Sequence, residues 1–523
     1  MPRSQHCERV SLGRLEETLK QIKELSKHTS ISSAPLKMYS FTPYDYMFKN
    51  LQSDPSALLD SSPEARTVEG LKKLGDQMSE PGTDEERESN IPAAYTYFGQ
   101  FVDHDITMEL QSDEIANLDD AELNPLGLGQ VLDNIKNRRS PTLDLDSVYG
   151  VTSEGEQIPR NCSRLTVGTV AFASDTKVLP GSRTKIDGVR PPNTDINNDV
   201  PRSIATPDNP DTDREALIGD ARNDENLIVS QMHVAFLRAH NAIVGQGMSF
   251  NQAKRTLVQH YQWLIIDDYL RRIARNEIID EILTYGNRFF RPSMCRLFMP
   301  LEFSAGAFRF GHSMVRPSYD YNVNFRGENA ATLFDLFSIP RFFGLDPGVG
   351  RIPEQWIIEW KNFVGSNGNF ARKIDTLLVD PLASLVDKSG DTLTGVKKNL
   401  AVRNLLRGYL LRIPTGQSVA AACGFTPMSK EEILDVSTAA QRKVLEEFKL
   451  HERTPLWYYI LAEASQNGVL GEVGSTIVAE VLIGLIRWSE DSILSEPNWK
   501  PTLPPTPGVF KLRHLFQLAG VWT

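Results

Sequence analysis

The chain has 523 residues, of which 24% are charged and 40% hydrophobic, and a net charge of −11. This is the composition of an ordinary globular protein, long enough to enclose a prosthetic group. No long basic tract points to nucleic acid as a partner, and four cysteines scattered at 7, 162, 295 and 423 exclude both a CxxC motif and a disulfide framework.

In chain order, residues 1–9 lack the apolar core of a signal peptide, which sets the expectation of a cytoplasmic protein. Residues 1–90 read as an N-terminal arm with short helices at 12–25 and 64–78, and 91–523 as the main domain. The 113–153 stretch is acidic and turn-rich. Residues 166–210 are rich in Gly, Pro, Asn and Asp, as in a long surface loop of the kind that often carries function. The sequon at Asn161 matters only in a secreted protein. From residue 225 helical periodicity dominates: 225–244 sets Ile228, Met232, Ala235, Phe236, Ala239 and Ile243 on one stripe. Further helices are expected at 250–283, 331–336, 356–364, 400–411, 430–450, 455–467 and 473–488. The run 475–488 is short and carries Glu480 and Arg487, so it reads as a buried helix and not a membrane span. With no internal repeat and no βαβ alternation, the expected fold is mainly α, with long irregular loops and little β-structure.

Five short stretches carry chemistry. Phe98-Gly-Gln-Phe-Val-Asp-His-Asp105 packs an amide, two carboxylates and an imidazole among apolar neighbours. On a helix Gln100 and His104 share a face, Asp103 lies beside it and Asp105 turns away. Buried together, these groups need partners; a lone histidine there is as readily a satisfied core residue. Next, Ser140, Thr142, Asp144 and Asp146 place oxygens at alternate positions, on one side of an extended backbone. That donor set suits calcium, although an Asp-rich loop by itself is more often simply solvated. In 219–226, Asp220 or Asp224 is placed to cap the following helix, while Arg222 and Glu225 have the spacing of a weak local ion pair. His312 follows Gly311, which lets a flat group approach closely, and a neutral imidazole there suits a metal. Asn404 has the chemistry to orient a distant histidine, or is a polar residue on a helix surface.

Taken in this order, from Tyr95 to Pro504, the set resembles the animal haem peroxidases of the peroxidase–cyclooxygenase superfamily, in a compact bacterial-like form. The resemblance implies a myeloperoxidase-like, mainly α catalytic domain over 91–523 that holds haem b. His104 resembles the distal histidine, Gln100 the distal glutamine and Arg222 the distal arginine. His312 resembles the proximal iron ligand, with Asn404 accepting its ring N–H. Asp103 and Glu225 resemble the carboxylates that mammalian members esterify to haem, so two ester links are possible. Asn226 stands where one member has the Met of a sulfonium link, so no such link is expected. Asp105 resembles the calcium ligand beside the distal histidine and completes a set with Ser140, Thr142, Asp144 and Asp146. Arg309 and Arg407 are candidates for the haem propionates.

The implied activity is reduction of hydrogen peroxide with oxidation of a halide, pseudohalide or small organic or phenolic donor, through an oxoiron(IV) intermediate, as in a response to oxidative stress. Loop 166–210 is expected to line the access channel. Two alternatives stand beside this reading. A fatty-acid dioxygenase of the superfamily resembles the cyclooxygenases in placing Tyr three residues before the proximal histidine; this chain has Arg309 there, and Asp103 before His104 as in the true peroxidases. A non-catalytic binding or adhesion relative is disfavoured by the intact Gln100, His104, Arg222 and His312.

Overall fold

Apolar spacing of 3.6 residues becomes helix along most of the chain. The computed structural model describes residues 42–80, 87–110, 118, 123–140, 142–152, 155–172, 188–203, 215–292, 297–342, 351–386, 392–505 and 508–522. The helices that build the site are α1 (Thr67–Asp76), α2 (Ala94–Ile106), α3 (Leu227–Gly245), α4 (Phe250–Trp263), α5 (Leu400–Leu410), α6 (Leu456–Ser465) and α7 (Glu472–Trp488). One apolar core runs through them, from Tyr44 to Val521. Helix α7 is buried at every position from Val473 to Ile486, which is why its sequence is apolar all round. Among the described residues no helix is long and apolar enough to cross a membrane.

Strands are few and short. β1 (Thr42–Asp45), β2 (Glu109–Leu110), β3 (Lys136–Asn137) and β4 (Met299–Pro300) form one sheet in the order β2-β3-β1-β4. β1 is antiparallel to β3, with Thr42 opposite Asn137, and parallel to β4, with Tyr44 opposite Met299. The buried carboxylate of Glu302 reinforces this seam by accepting the backbone N–H groups of Met47 at 2.9 Å and Phe48 at 3.0 Å. Residues 42–80, expected as part of an arm, are thus woven into the body: α1 packs on α5 and on the Ala439–Glu447 helix, and Leu71, Leu74 and Met78 join the core. The helix expected at 12–25 lies outside the described residues.

Several expected helices are interrupted: 356–364 holds only the end of a 3₁₀ turn, Glu354–Trp356, and a short helix, Lys361–Val364, and 331–336 begins as a strand, Ala331–Thr332. Residues 430–450 divide into Lys430–Asp435 and Ala439–Glu447, because Thr438 and Gln441 form a reciprocal capping box that starts a new helix. Within 250–283, α4 passes into a π-helical stretch, Leu264–Leu270. This stretch lays Tyr269 over α2: a Cβ on Gly99 would stand 2.3 Å from the Tyr269 hydroxyl. Gly99 is what allows the close approach.

Candidate active site

Helix α2 is buried along its length except at Gln100 and Asp103. These two side chains share a face with His104, which is 7% exposed. The Thr107 hydroxyl donates to the Asp103 carboxylate at 3.0 Å. His104 Nδ1 lies 2.8 Å from Asn223 Oδ1. Burial first, then the Arg222 charge, lowers the His104 pKa to about 4, so the imidazole is neutral at neutral pH.

Arg222 comes from a 3₁₀ turn, Ala221–Asp224. Its Nε and Nη2 donate to Asp220 at 3.0 and 2.7 Å, and Nη2 also donates to the carbonyls of His104, at 3.1 Å, and Thr107. Asp220 is buried and takes a second cation, Arg139 Nη2 at 2.6 Å. Burial alone would raise the Asp220 pKa, but Arg222 and Arg139 hold it well below the carboxylate range. Arg222 is gripped by Asp220, and the charges of Asp103 and Glu225 also act on it. Neither Asp220 nor Asp224 caps α3. Asn226 does, accepting the N–H groups of Ile228 and Val229, while Asp220 caps the 3₁₀ turn and Asp224 pairs with Arg202 at 2.6 Å.

Asp105 turns away from that face, as its spacing predicts. Fully buried, it accepts the N–H groups of Ser147 at 3.0 Å and Leu145 at 3.2 Å. Beside it, the Ser140 hydroxyl contacts Thr142 at 2.9 Å and Asp146 at 2.7 Å, and the Ser489 hydroxyl donates to Asp144. Burial, then the Asp146 charge, pushes Asp105 up to about 7, and burial raises Asp146 too. The Ser147 hydroxyl is buried without a hydrogen-bond partner among the described residues. Crowded, desolvated carboxylates with spare oxygens suit a hard cation. Among the described residues, however, no three His, Cys, Asp or Glu side chains are grouped to hold a metal; hydroxyl and backbone oxygens would have to complete the shell.

His312 lies in the 3₁₀ segment Ala307–Met314, which leaves Arg309, Gly311 and His312 outside the buried set. No atom lies within 4 Å of the place a Gly311 Cβ would take. Trp457 of α6 meets the His312 ring edge-on at 6.5 Å. Burial first, then Arg309 and Arg403, lowers the His312 pKa to about 3. Asn404 of α5 contacts His312 Nδ1 at 2.9 Å through its amide nitrogen, while its oxygen faces Arg309 at 3.5 Å. This reverses the expected polarity, in which Asn404 accepts. A His312 that binds a metal through Nε2 carries its proton on Nδ1, which calls for the amide oxygen there, a half-turn of the terminal torsion away. Arg309 also donates to the Ser304 carbonyl at 3.1 Å, and Arg407 follows Asn404 by one helical turn.

Helix α2 packs against the segment that carries His312. The element bearing Gln100, Asp103 and His104 thus meets the one bearing the neutral imidazole of His312, which has open space beside Gly311. This fits a flat macrocycle ligated from one face. Asn223, His233, Arg139 and Trp457 are part of the arrangement without standing out in the sequence; the only signal was adjacency, Asn223 to Arg222 and Arg139 to Ser140. Of loop 166–210, residues 173–187 and 204–210 lie outside the described residues, and so does its expected place beside a channel.

A family model described as animal haem peroxidase matches residues 123–485, which include the 140–146 loop, Arg222, Glu225, His312 and Asn404; α2 precedes the match. The chain is 26% identical over 272 residues to a "Peroxidase-like protein" of Margaritifera margaritifera, an alignment that takes in 43% of this chain and 32% of that protein. The chain thus spans about a third of that relative's length. Among solved structures it is similar to peroxidase A from Dictyostelium discoideum, with a TM-score of 0.55 and 15% identity over 86% of this chain and 89% of that one. It is also similar to a fatty acid alpha-dioxygenase from Arabidopsis thaliana, with a TM-score of 0.51 and 12% identity over 89% of this chain and 75% of that one. At such identities the structures speak for the fold alone, the mainly α fold of the peroxidase superfamily. The family model takes in well over half of the sequence, and the chain belongs to the animal haem peroxidase family.

Proposed function

We propose that this protein is a haem peroxidase that reduces hydrogen peroxide and oxidises a halide, pseudohalide or small organic donor. The observation that carries the reading is a buried, neutral His104 within the field of Arg222, on a helix packed against the segment whose His312 contacts Asn404. Haem, held by His312, would supply the iron that binds peroxide and relays its oxidising power to the donor. His104 takes up the proton of peroxide and returns it to the departing oxygen. Arg222, unable to lose its charge, stabilises the negative charge that develops there. Gln100, on the same face, orients peroxide or halide by hydrogen bonding. Asp103 and Glu225 are assigned to haem ester links, Arg309 and Arg407 to its propionates, and Asp105, Ser140, Thr142, Asp144 and Asp146 to calcium. Arg309, standing where the superfamily's dioxygenases place a tyrosine, favours peroxide-driven oxidation of a small donor over oxygenation of a fatty acid.

The test is reconstitution with haem, followed by peroxide consumption with bromide, thiocyanate and phenol, and oxygen uptake with palmitic acid. Haem binding is expected to fail in His312→Ala. Peroxide turnover should fall by at least about 10²-fold in His104→Ala. Absence of haem binding in the native chain, or oxygen uptake with the fatty acid and no peroxide turnover, would sink the reading.

A further inference from the structure

Asn223 sits between two histidines. Its Oδ1 is 2.8 Å from His104 Nδ1, and its Nδ2 is 3.1 Å from His233 Nδ1. All three side chains are buried, Asn223 and His233 at 0% exposure. Each contact therefore needs one donor and one acceptor. The amide donates only through nitrogen and accepts only through oxygen. In this orientation His104 donates through Nδ1 and keeps the lone pair on Nε2, while His233 accepts at Nδ1 and carries its proton on Nε2, which has no hydrogen-bond partner among the described residues. A half-turn of the amide would reverse both, putting the His104 proton on Nε2, where the ring has nothing left to accept with. The shorter contact is the one to oxygen, in the ordinary range of an N–H···O bond.

The backbone anchors this arrangement. Asn223 N–H donates to the Asp220 carbonyl at 3.0 Å, and the Asp220 side chain both caps the turn and grips Arg222. His233 is seated in α3, its ring 6.2 Å from that of Phe101 on α2. A neutral imidazole in water prefers its proton on Nε2, so the opposite tautomer persists only where Nδ1–H has an acceptor.

We infer that Asn223 is a positioning residue, with His233 as its brace: the amide oxygen holds the His104 proton on Nδ1, which leaves Nε2 as the free base. What the base then does rests on the peroxidase reading; the tautomer does not.

The experiment is ¹⁵N-histidine NMR on the full chain without haem, with His104 assigned through His104→Gln. His104 is expected to be protonated at Nδ1 and bare at Nε2, with His233 the converse. Asn223→Leu should move His104 to the Nε2–H form, and Asn223→Asp, which keeps an acceptor oxygen, should retain Nδ1–H. His233→Leu should give a mixture. In the haem-loaded protein, the Soret change on adding peroxide should slow about 10- to 100-fold in Asn223→Leu and little in Asn223→Asp, with haem uptake unchanged. Should Asn223→Leu fail to fold, Asn223→Asp and His233→Leu carry the same comparison. Native His104 in the Nε2–H form, or His104 unmoved in both the leucine variants, overturns the inference. His104 on Nδ1–H in a loaded protein that ignores peroxide supports the positioning and overturns the peroxidase reading instead.

Discussion

Asp105 follows His104 directly in the chain, yet the two side chains serve different neighbours: His104 reaches Asn223, and Asp105 takes the N–H groups of Leu145 and Ser147. The 140–147 loop is therefore fastened one residue from the base. A shift of that loop moves the end of α2, and His104 with it.

Asp105→Ala strips the acceptor from two buried N–H groups, a change that costs about 1–3 kcal/mol for each group left without a partner. The urea midpoint should fall accordingly, and peroxide reactivity should fall with it. Calcium chelation should lower the native midpoint and leave an Asp144→Asn, Asp146→Asn double variant unmoved. A native midpoint indifferent to chelation would remove calcium from the account.

Arg139 and Arg222 share the carboxylate of Asp220. Arg139 and Asp220 are both nearly solvent-free, at 9% and 0% side-chain exposure. Arg139→Met leaves Asp220 with Arg222 alone and should destabilise the fold by about 1.5–3 kcal/mol, the worth of a hydrogen bond to a charged group. Arg222→Gln should behave differently, lowering the peroxide rate by about 10²–10³-fold with a smaller loss of stability. Equal stability losses in the two variants would mean that Arg222 is chiefly structural.

After peroxide treatment, haem should stay with the polypeptide through acidic acetone, and be released when Asp103→Ala and Glu225→Ala are combined. Complete release from the native protein would show that the two carboxylates are idle.

His260 donates to the Thr256 carbonyl at 2.7 Å, and its Nε2 accepts the N–H groups of Thr502 at 3.0 Å and Leu503 at 3.1 Å. Burial lowers its pKa to about 4, and two N–H groups aimed at Nε2 act in the same direction. The unfolded chain takes a proton at about 6.5 that the folded one refuses. The contribution of His260 is thus complete above pH 6.5 and declines as pH falls toward 4. Between pH 7 and pH 5 the loss is about 2 kcal/mol. Urea unfolding at both pH values should show that loss reduced in His260→Gln; parallel curves for the two proteins would contradict it.

The motifs around His104 and His312 are legible in the sequence because polar groups stand there among apolar ones at helical spacing, which few structural roles require. The partners of Arg222 are not. In the 219–226 run, Asp220, Asp224 and Asn226 are all competent caps, and the choice falls to cations from elsewhere in the chain: Arg139, 81 residues before Asp220, and Arg202, 22 residues before Asp224. The orientation of Asn404 is hidden for the same reason, since it depends on Arg309, 95 residues away. The main helices follow from periodicity, whereas β2, β3 and β4 are two residues each, too short for any alternation to show. The break within 430–450 was legible in principle, as Thr438 and Gln441 have capping-box spacing.

The seam between β1 and β4 has a consequence for how the protein is born. Met47 donates to a carboxylate 255 residues further along the chain. On the ribosome β1 emerges early and waits for β4, while α2 holds its imidazole and carboxylates in water. The segment that carries His312 begins just beyond β4, so it meets α2 only once more than half of the chain has been made. Closing so long a loop is slow compared with winding the helices. Joining α2 to the segment that carries His312 is thus a late, long-range step, and Asn404 and Trp457, which flank His312, are made later still.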